Sequence, residues 1–291
     1  MKTKQAHRRR QVARLVNGVR VLPGFRNYPM LYVSSAVRGR QLRADFASVR
    51  TFLLFVGHPR SGHSLVGSLL DAHPDAVVSH ELDALKYVAA GYRRSQLFTL
   101  VLEHAKANAA AGRKSWGYSY AVPSQWQGRY ERLEVVGDKR GRRTTARLAE
   151  RPELLDRLAA TVQMPVSVVQ VVRDPIDNIS TMWRRGQLTL EYQIDEYFSL
   201  CDTVDKITAG MDPARFHRVR LEELIAHPHD QLTDLCRFLE MRVVPGYVDA
   251  CASIVFEAPR RTRDDAPWTA ELVDDVRRRA GRHEWLAPYD A

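Results

Sequence analysis

Cysteine is scarce in this chain of 291 residues. Only Cys201, Cys236 and Cys251 occur, an odd and widely spaced set that excludes a disulfide framework and, with no C-x-x-C or Cys/His cluster, supplies no metal site. The simplest setting for such thiols is a reducing compartment, the cytoplasm. Long apolar runs are missing too. The longest, Phe52 to Val56, falls far short of the roughly 20 residues that a spanning helix needs, and no apolar stretch of signal-peptide length follows the basic N-terminus. Acidic residues are nearly absent from one region alone. Residues 1–50 carry twelve Lys and Arg against the single Asp45, whereas the remainder carries 32 basic and 33 acidic residues. The formal charge of +10 therefore belongs to an N-terminal extension, and a polyanion-coated body is excluded. The arginines of that extension have no interleaved aromatics, so nucleic acid is not an expected partner.

What is present is a 45% hydrophobic share, enough for a large core. Within the extension, Val12, Leu15, Val16 and Val19 fall at helical spacing among Arg8, Arg9, Arg10, Arg14 and Arg20. This is the pattern of a basic amphipathic helix suited to an anionic membrane surface, or of a solvated tail. From residue 51 to 291 short apolar strands alternate with helical periods, which predicts one α/β domain with a mostly parallel central sheet. The expected strands are Thr51 to Val56, Ser115 to Tyr118, Leu133 to Val136, Val166 to Val172 and Phe216 to Val219. Helices are expected over Gly62 to Ala72, Arg94 to Ala110, Glu153 to Thr161, Pro175 to Arg185, Glu191 to Ala209 and Asp230 to Glu240.

The first strand runs into Gly57-His58-Pro59-Arg60-Ser61-Gly62-His63-Ser64, after which Leu65, Leu69 and Leu70 begin a helical period. Strand, glycine loop and helix in this order turn backbone amides toward an anion at the helix N-terminus. His63 stands where nucleoside triphosphatases place the Lys that reaches the β and γ phosphates, and Arg60 supplies the cation instead. That argues against ATP or GTP hydrolysis and for another phosphate-bearing donor. A second ligand position is suggested by Arg173, which follows the buried strand Val166 to Val172, with Asp174 and Pro175 as N-cap and first residue of a helix.

Pro59-Arg60-Ser61-Gly62 with Ser64, followed by Leu69-Leu70-Asp71-Ala72-His73-Pro74, resembles the 5′-phosphosulfate loop of the sulfotransferase superfamily in its carbohydrate, bacterial and tyrosylprotein branches. The departure is His63 in place of the usual Thr. The segment from Arg173 to Met182 is similar to the superfamily's 3′-phosphate signature, with Thr181 in the contact position and Ser180 as its substitute. Phe216 to Leu224, Asp234 to Glu240, and Pro259 to Arg263 with Trp268 resemble its later elements, the last being a basic loop in which Arg260 and Arg263 would close over the donor. The resemblance implies a three-layer P-loop fold and the donor 3′-phosphoadenosine 5′-phosphosulfate (PAPS), with PAP as product and no metal. Arg60, Ser61, Gly62, His63, Ser64, Arg173, Thr181, Ser180, Arg260 and Arg263 would bind it.

In the superfamily's small-molecule branch the catalytic base is a His two residues after a Lys. Here Lys139 is present and the His position is Gly141. In the tyrosylprotein branch the base is a Glu twenty-one residues after the loop Arg, a position held by Glu81, with His80 beside it as the second candidate. The resemblance therefore implies Glu81 as general base, Lys139 as stabiliser of the bridging oxygen and Arg60 as a clamp on the transferred group. The expected acceptor bears a hydroxyl or amine, and carbohydrate, lipid-linked glycan, peptide and small natural product all stay open. The aromatic stretch Trp116 to Tyr130 would line an acceptor pocket or serve as core. A membrane surface met through residues 1–50 and a second copy of the chain complete the partners considered. The rival classes are a P-loop kinase and a nucleotide-binding module without chemistry.

Overall fold

A strand that is apolar along its whole length can only be buried on both faces, and β1, Thr51–Gly57, is buried at every residue. The computed structural model describes residues 28–115, 117–186 and 188–289. β1 is the middle strand of a five-stranded sheet that also contains β2 (Ala76–His80), β5 (Val135–Lys139), β6 (Val166–Val172) and β7 (Phe216–Arg220), in the order β2-β5-β1-β6-β7. The β1–β5, β2–β5 and β6–β7 pairs are parallel. With helices flanking this sheet the architecture is the α/β one expected.

The chain forms two compact units. Among the described residues, the first comprises the chain through Leu54 with Gly67–Arg140 and Leu154–Val166, and the second comprises Phe55–Val66, Gly141–Glu153 and the chain from Ser167 onward. In the first, Phe52, Leu53 and Leu54 of β1 join Val135 and Val136 of β5 and Leu97, Phe98 and Val101 of the Arg94–Ala110 helix as buried apolar residues. Each such burial contributes about 1.5–3 kcal/mol. In the second, Val172, Ile179, Met182, Ile194, Tyr197 and Phe198 pack with Trp285 and Leu286 from the chain's last turn.

Two strands run against simple apolar patterning. β2 has only three apolar residues before Ser79 and His80, and was not expected as a strand; the Asp71 carboxylate accepts the Val78 N–H at 2.7 Å, and Ala76 to His80 pair with Val135 to Lys139. β5 starts at Val135 and continues through Gly137-Asp138-Lys139 instead of stopping at Val136. The expected strand Ser115 to Tyr118 is instead a hairpin of β3 (Lys114–Ser115) and β4 (Tyr118–Ser119), turned at Gly117 with φ of 87°, because only a residue tolerant of positive φ can reverse the chain there. Within residues 1–50, the helix Tyr28–Gln41 lies along the Arg94–Ala110 helix, Gln96 Nε2 donates to Tyr32 O at 2.8 Å, and Phe46 meets Phe98 edge-on at 5.4 Å. The Val12 to Val19 pattern lies outside the described residues.

Gly137 is the tightest point of the β1–β5 pair, where a Cβ would stand 2.7 Å from Leu53 Cβ and 2.9 Å from Leu53 O. Gly137→Ala should therefore lower unfolding free energy by about 1–3 kcal/mol through overpacking. Urea denaturation measures this, and a variant as stable as the parent would contradict the close approach.

Candidate active site

In the second unit, the segment after β1 curls through three positive-φ residues, Gly57 at 111°, Arg60 at 70° and Gly62 at 101°. For Arg60 this conformation costs on the order of 1 kcal/mol, and such strain persists only where the surroundings enforce it. The enforcing contacts are specific. Gly57 N–H donates to Thr145 Oγ1 at 2.7 Å, Asn178 Nδ2 donates to Pro59 O at 3.0 Å, and the buried Ser61 hydroxyl donates to His58 O at 3.1 Å. His58 lies flat on Tyr197 with ring centroids 4.0 Å apart, and burial pushes its pKa down to about 3. It is a neutral strut at any working pH. Gly62 cannot be replaced without collision, since a Cβ would meet Leu221 at 2.7 Å. Its carbonyl accepts from Leu65 and Val66, which opens the His63–Leu70 helix. Arg60, Ser61, Gly62, His63 and Ser64 thus form one curled loop at a helix N-terminus, the geometry that receives phosphate or sulfate.

The two departures from the superfamily pattern touch each other. A Cβ on Gly141, which has φ of 21°, would stand 3.2 Å from the His63 ring. A side chain at 141 would therefore require the His63 imidazole to shift by a few tenths of an ångström.

At the end of β6 the buried Arg173 donates from Nη1 to Thr181 Oγ1 at 3.1 Å and from Nη2 to the Arg260 carbonyl. Both acceptors are neutral oxygens. Asp174 caps the Pro175–Arg185 helix by accepting from Asp177 N–H at 2.9 Å. Thr181 is the hydroxyl that meets Arg173; Ser180 instead accepts from Trp268 Nε1 at 2.8 Å and donates to Ile176 O. Arg260 is exposed. Arg263 is held by carboxylates, with Nη2 2.8 Å from Asp174 Oδ2 and 2.9 Å from Asp177 Oδ2. Asp177 also accepts the N–H groups of Thr262 and Arg263 at 2.6 and 2.9 Å. Burial pushes its carboxyl up, but the Arg263 guanidinium and these two amides outweigh it and hold the group below the ordinary value. Asp177 thereby straps the 260–263 loop to the helix that carries Thr181.

In the first unit, Lys139 ends β5 with only 1% of its side chain exposed, and its Nζ donates to Glu81 Oε1 at 3.2 Å. Burial pushes the ammonium pKa down while Glu81 opposes the shift. Glu81 has φ of 70° and is followed by Asp83 at 69°. Arg140 Nη1 donates to the Glu81 carbonyl at 2.7 Å, and the Glu81 amide donates to Lys139 O at 2.9 Å. His80 ends β2 directly across from Lys139. The structure thus brings Glu81 and Lys139 together, and groups Arg173 with Thr181.

The structural or electrostatic roles of several residues here are not written in the sequence. Asn178 ties the curled 57–64 loop to the Pro175–Arg185 helix. Asp71, within the Leu69 to Pro74 stretch, serves structure: it accepts from Val78 and Gly128 N–H and pairs with buried Arg113. Trp126 lies under the Arg129 guanidinium and Tyr130 donates to Asp45 at 2.8 Å, so part of the aromatic stretch packs structurally. His104, on the Arg94–Ala110 helix, has an enclosed Nδ1 without a partner. Burial, with Arg140 and Lys139 and against Glu81, pushes its pKa down to about 4. Its spacing alone reads as one more helix residue. Among the described residues no cluster of His, Cys, Asp and Glu could hold a metal ion, and no helix is long and apolar enough to cross a membrane.

A family model described as Sulfotransferase family matches residues 53–245. No curated protein matches the chain in sequence. Among solved structures, a sulfotransferase of Mycobacterium avium is similar with a TM-score of 0.50 at 10% identity, covering 88% of this chain and 81% of that one. A Mycobacterium tuberculosis sulfotransferase gives 0.47 at 16% identity over 83% and 80%, and a mouse sulfotransferase complexed with PAP gives 0.47 at 11% over 85% and 93%.

Because the folded pKa of His104 lies below the unfolded value near 6.5, the unfolded chain binds a proton that the folded one refuses between about pH 6.5 and 4. Stability conferred by neutral His104 is present above that window and lost as pH falls through it, by about 1.4 kcal/mol per pH unit. Urea titrations of His104→Gln between pH 6 and 4.5 should show a slope shallower by about that amount; a slope equal to the parent's would place His104 in water.

Proposed function

The chain belongs to the sulfotransferase family, and on that premise we propose that it moves the sulfonyl group of PAPS onto an acceptor hydroxyl or amine by in-line transfer. PAPS supplies an activated sulfonyl group whose leaving group is PAP. The observation that carries the choice of donor is the buried Arg173 with Thr181 Oγ1 at 3.1 Å from its Nη1: a cation and a hydroxyl at the end of a parallel strand suit a second phosphate, on the ribose, that ATP lacks. The residue at the end of β6 in a P-loop kinase is expected to be Asp, and the loop of such a kinase carries Lys where this chain has His63.

Each residue then has a physical task. The curled loop with Arg60, Ser61, Gly62, His63 and Ser64 takes the 5′-phosphosulfate on its amides and guanidinium. Arg173 and Thr181 take the 3′-phosphate, with Ser180 fixing Trp268 behind them. Arg263 positions the 260–263 loop through Asp177 and Asp174, and exposed Arg260 supplies a further cation. Glu81 removes the acceptor proton at its carboxylate, and Lys139 Nζ stabilises or protonates the bridging oxygen as charge grows on it. A buried ammonium with a lowered pKa gives up its proton more readily than one in water. Positioning and electrostatics supply the catalysis, and no metal enters the proposal. The strained φ of Arg60 and Glu81 supports this assignment, since backbone strain gathers at working residues. We place the reaction in the cytoplasm, with residues 1–50 offered to an anionic membrane surface, and leave the acceptor as a carbohydrate, lipid-linked glycan, peptide or natural product.

Transfer of label from ³⁵S-PAPS into a cell extract tests the roles. Glu81→Gln should cut turnover by about 10²–10⁴-fold with PAP binding unchanged, and Lys139→Ala should cut the rate rather than acceptor affinity. Normal turnover by Glu81→Gln would remove Glu81 as the base.

A further inference from the structure

Many arginines of the described chain face carboxylates, but Arg93, Arg94 and Arg157 in the first unit do not. Arg93, Arg94 and Arg157 line one open cavity of about 360 Å³, together with Tyr92, Thr161 and Gln163, and no acidic residue lines it. Arg93 and Arg157 have no carboxylate partner among the described residues. Arg94 is held in place, since its guanidinium lies 5.3 Å from the Phe98 ring centroid and Nη2 reaches Phe46 O at 3.4 Å, yet its Nε is enclosed with no hydrogen-bond partner. Three like charges around one cavity repel each other unless an anion joins them. Guanidinium forks match the paired oxygens of a tetrahedral oxyanion, and the Gln163 amide adds a neutral donor, while the Thr161 hydroxyl donates to Arg157 O at 2.7 Å. The Arg94–Ala110 helix begins at the same place and adds its positive dipole end.

We propose that this arginine-lined cavity is a second anion site, built for a phosphate or sulfate group and formed by none of the residues assigned to the donor. The size admits a tetrahedral oxyanion with a small substituent, so the ligand is a free oxyanion, a phosphate or sulfate ester, or the phosphate of a lipid headgroup. Enclosing the Arg94 Nε is what an open surface cluster of arginines would not need. The site stands apart from the proposed transfer chemistry and survives its failure.

Inorganic phosphate is the first probe, titrated into the full chain at constant ionic strength while melting temperature is followed, because a ligand of the folded state raises Tm with its concentration. Arg93→Ala with Arg157→Ala changes two exposed side chains and should leave the unliganded Tm near the parent's; each loss should weaken phosphate by about tenfold, the scale of one charge-assisted contact. Phosphate bound at the donor loop is common to both proteins, so their difference reports the cavity. A rise in Tm that the double variant mostly loses supports the site, with Arg157→Lys intermediate. If free phosphate moves neither protein, sedimentation with phosphatidic acid vesicles compared with phosphatidylcholine vesicles decides for the headgroup, provided the double variant sediments less. Equal behaviour of parent and double variant in both experiments would overturn the proposal.

Discussion

Lys139 is a basic side chain kept almost wholly out of water, and several neighbours of the first unit are arranged around holding it there. Taking an ammonium out of water costs several kcal/mol unless a partner and the surrounding dipoles compensate. Gly67 makes the passage for its stem, since a Cβ on that helix residue would stand 2.7 Å from Lys139 Cγ. Glu81 brings the counter-charge. To reach Nζ from the end of β2 the chain must turn sharply, and the turn is fixed by the buried Asp138, which accepts from Ser79 Oγ, Leu82 N–H and Ala84 N–H at 2.8, 3.0 and 2.8 Å. Burial raises the Asp138 pKa, and those three hydrogen bonds work against the rise. The strained φ values at Glu81 and Asp83 are what this turn requires. A carboxylate within reach of a buried lysine is thus a consequence of two neighbouring residues on β5, one directing the backbone and one attracting the side chain.

The second unit solves the same problem with a different residue. Asp177, one turn into the Pro175–Arg185 helix, gathers two amides and a guanidinium from the 262–263 segment, so the loop that carries Arg260 is tied to the helix that carries Thr181. Arg173, already fixed by Thr181 and the Arg260 carbonyl, is then held between two segments that cannot drift apart without breaking a charged network. Asn178 on the same helix fixes the curled 57–64 loop through Pro59 O. One helix therefore orients the two groups of residues assigned to the two ends of the donor.

These particulars explain what could and could not be read beforehand. β1, β6 and the Arg94–Ala110 and Pro175–Arg185 helices follow from apolar runs, period and caps, and the residues of the phosphate loop, Arg173 and Thr181 stand out because their spacing is tied to a strand end. β2 and the second half of β5 were hidden because buried Asp138, Lys139 and Ser79 make them look like loop; only pairing between distant segments shows that these charges are satisfied. Asp177 was unreadable as an anchor for the same reason, since an Asp at the first turn of a helix is ordinary until its partners, far away in sequence, are seen; Asn178 and Asp71 likewise show their roles only through their contacts with Pro59 and Gly128. The surplus of positive charge sits mainly in residues 1–27, which carry eight of the twelve Lys and Arg of the extension and lie outside the described residues.

The central claim is that the donor carries a phosphate on its ribose and that Arg173 reads it. Calorimetric titration of the parent and of Arg173→Ala with PAP, ATP and adenosine 5′-monophosphate tests it most directly. The account predicts that the parent binds PAP more tightly than either of the others, and that Arg173→Ala removes most of the advantage of PAP over the monophosphate. Tighter binding of ATP than of PAP, or a PAP advantage that survives the loss of Arg173, would contradict it.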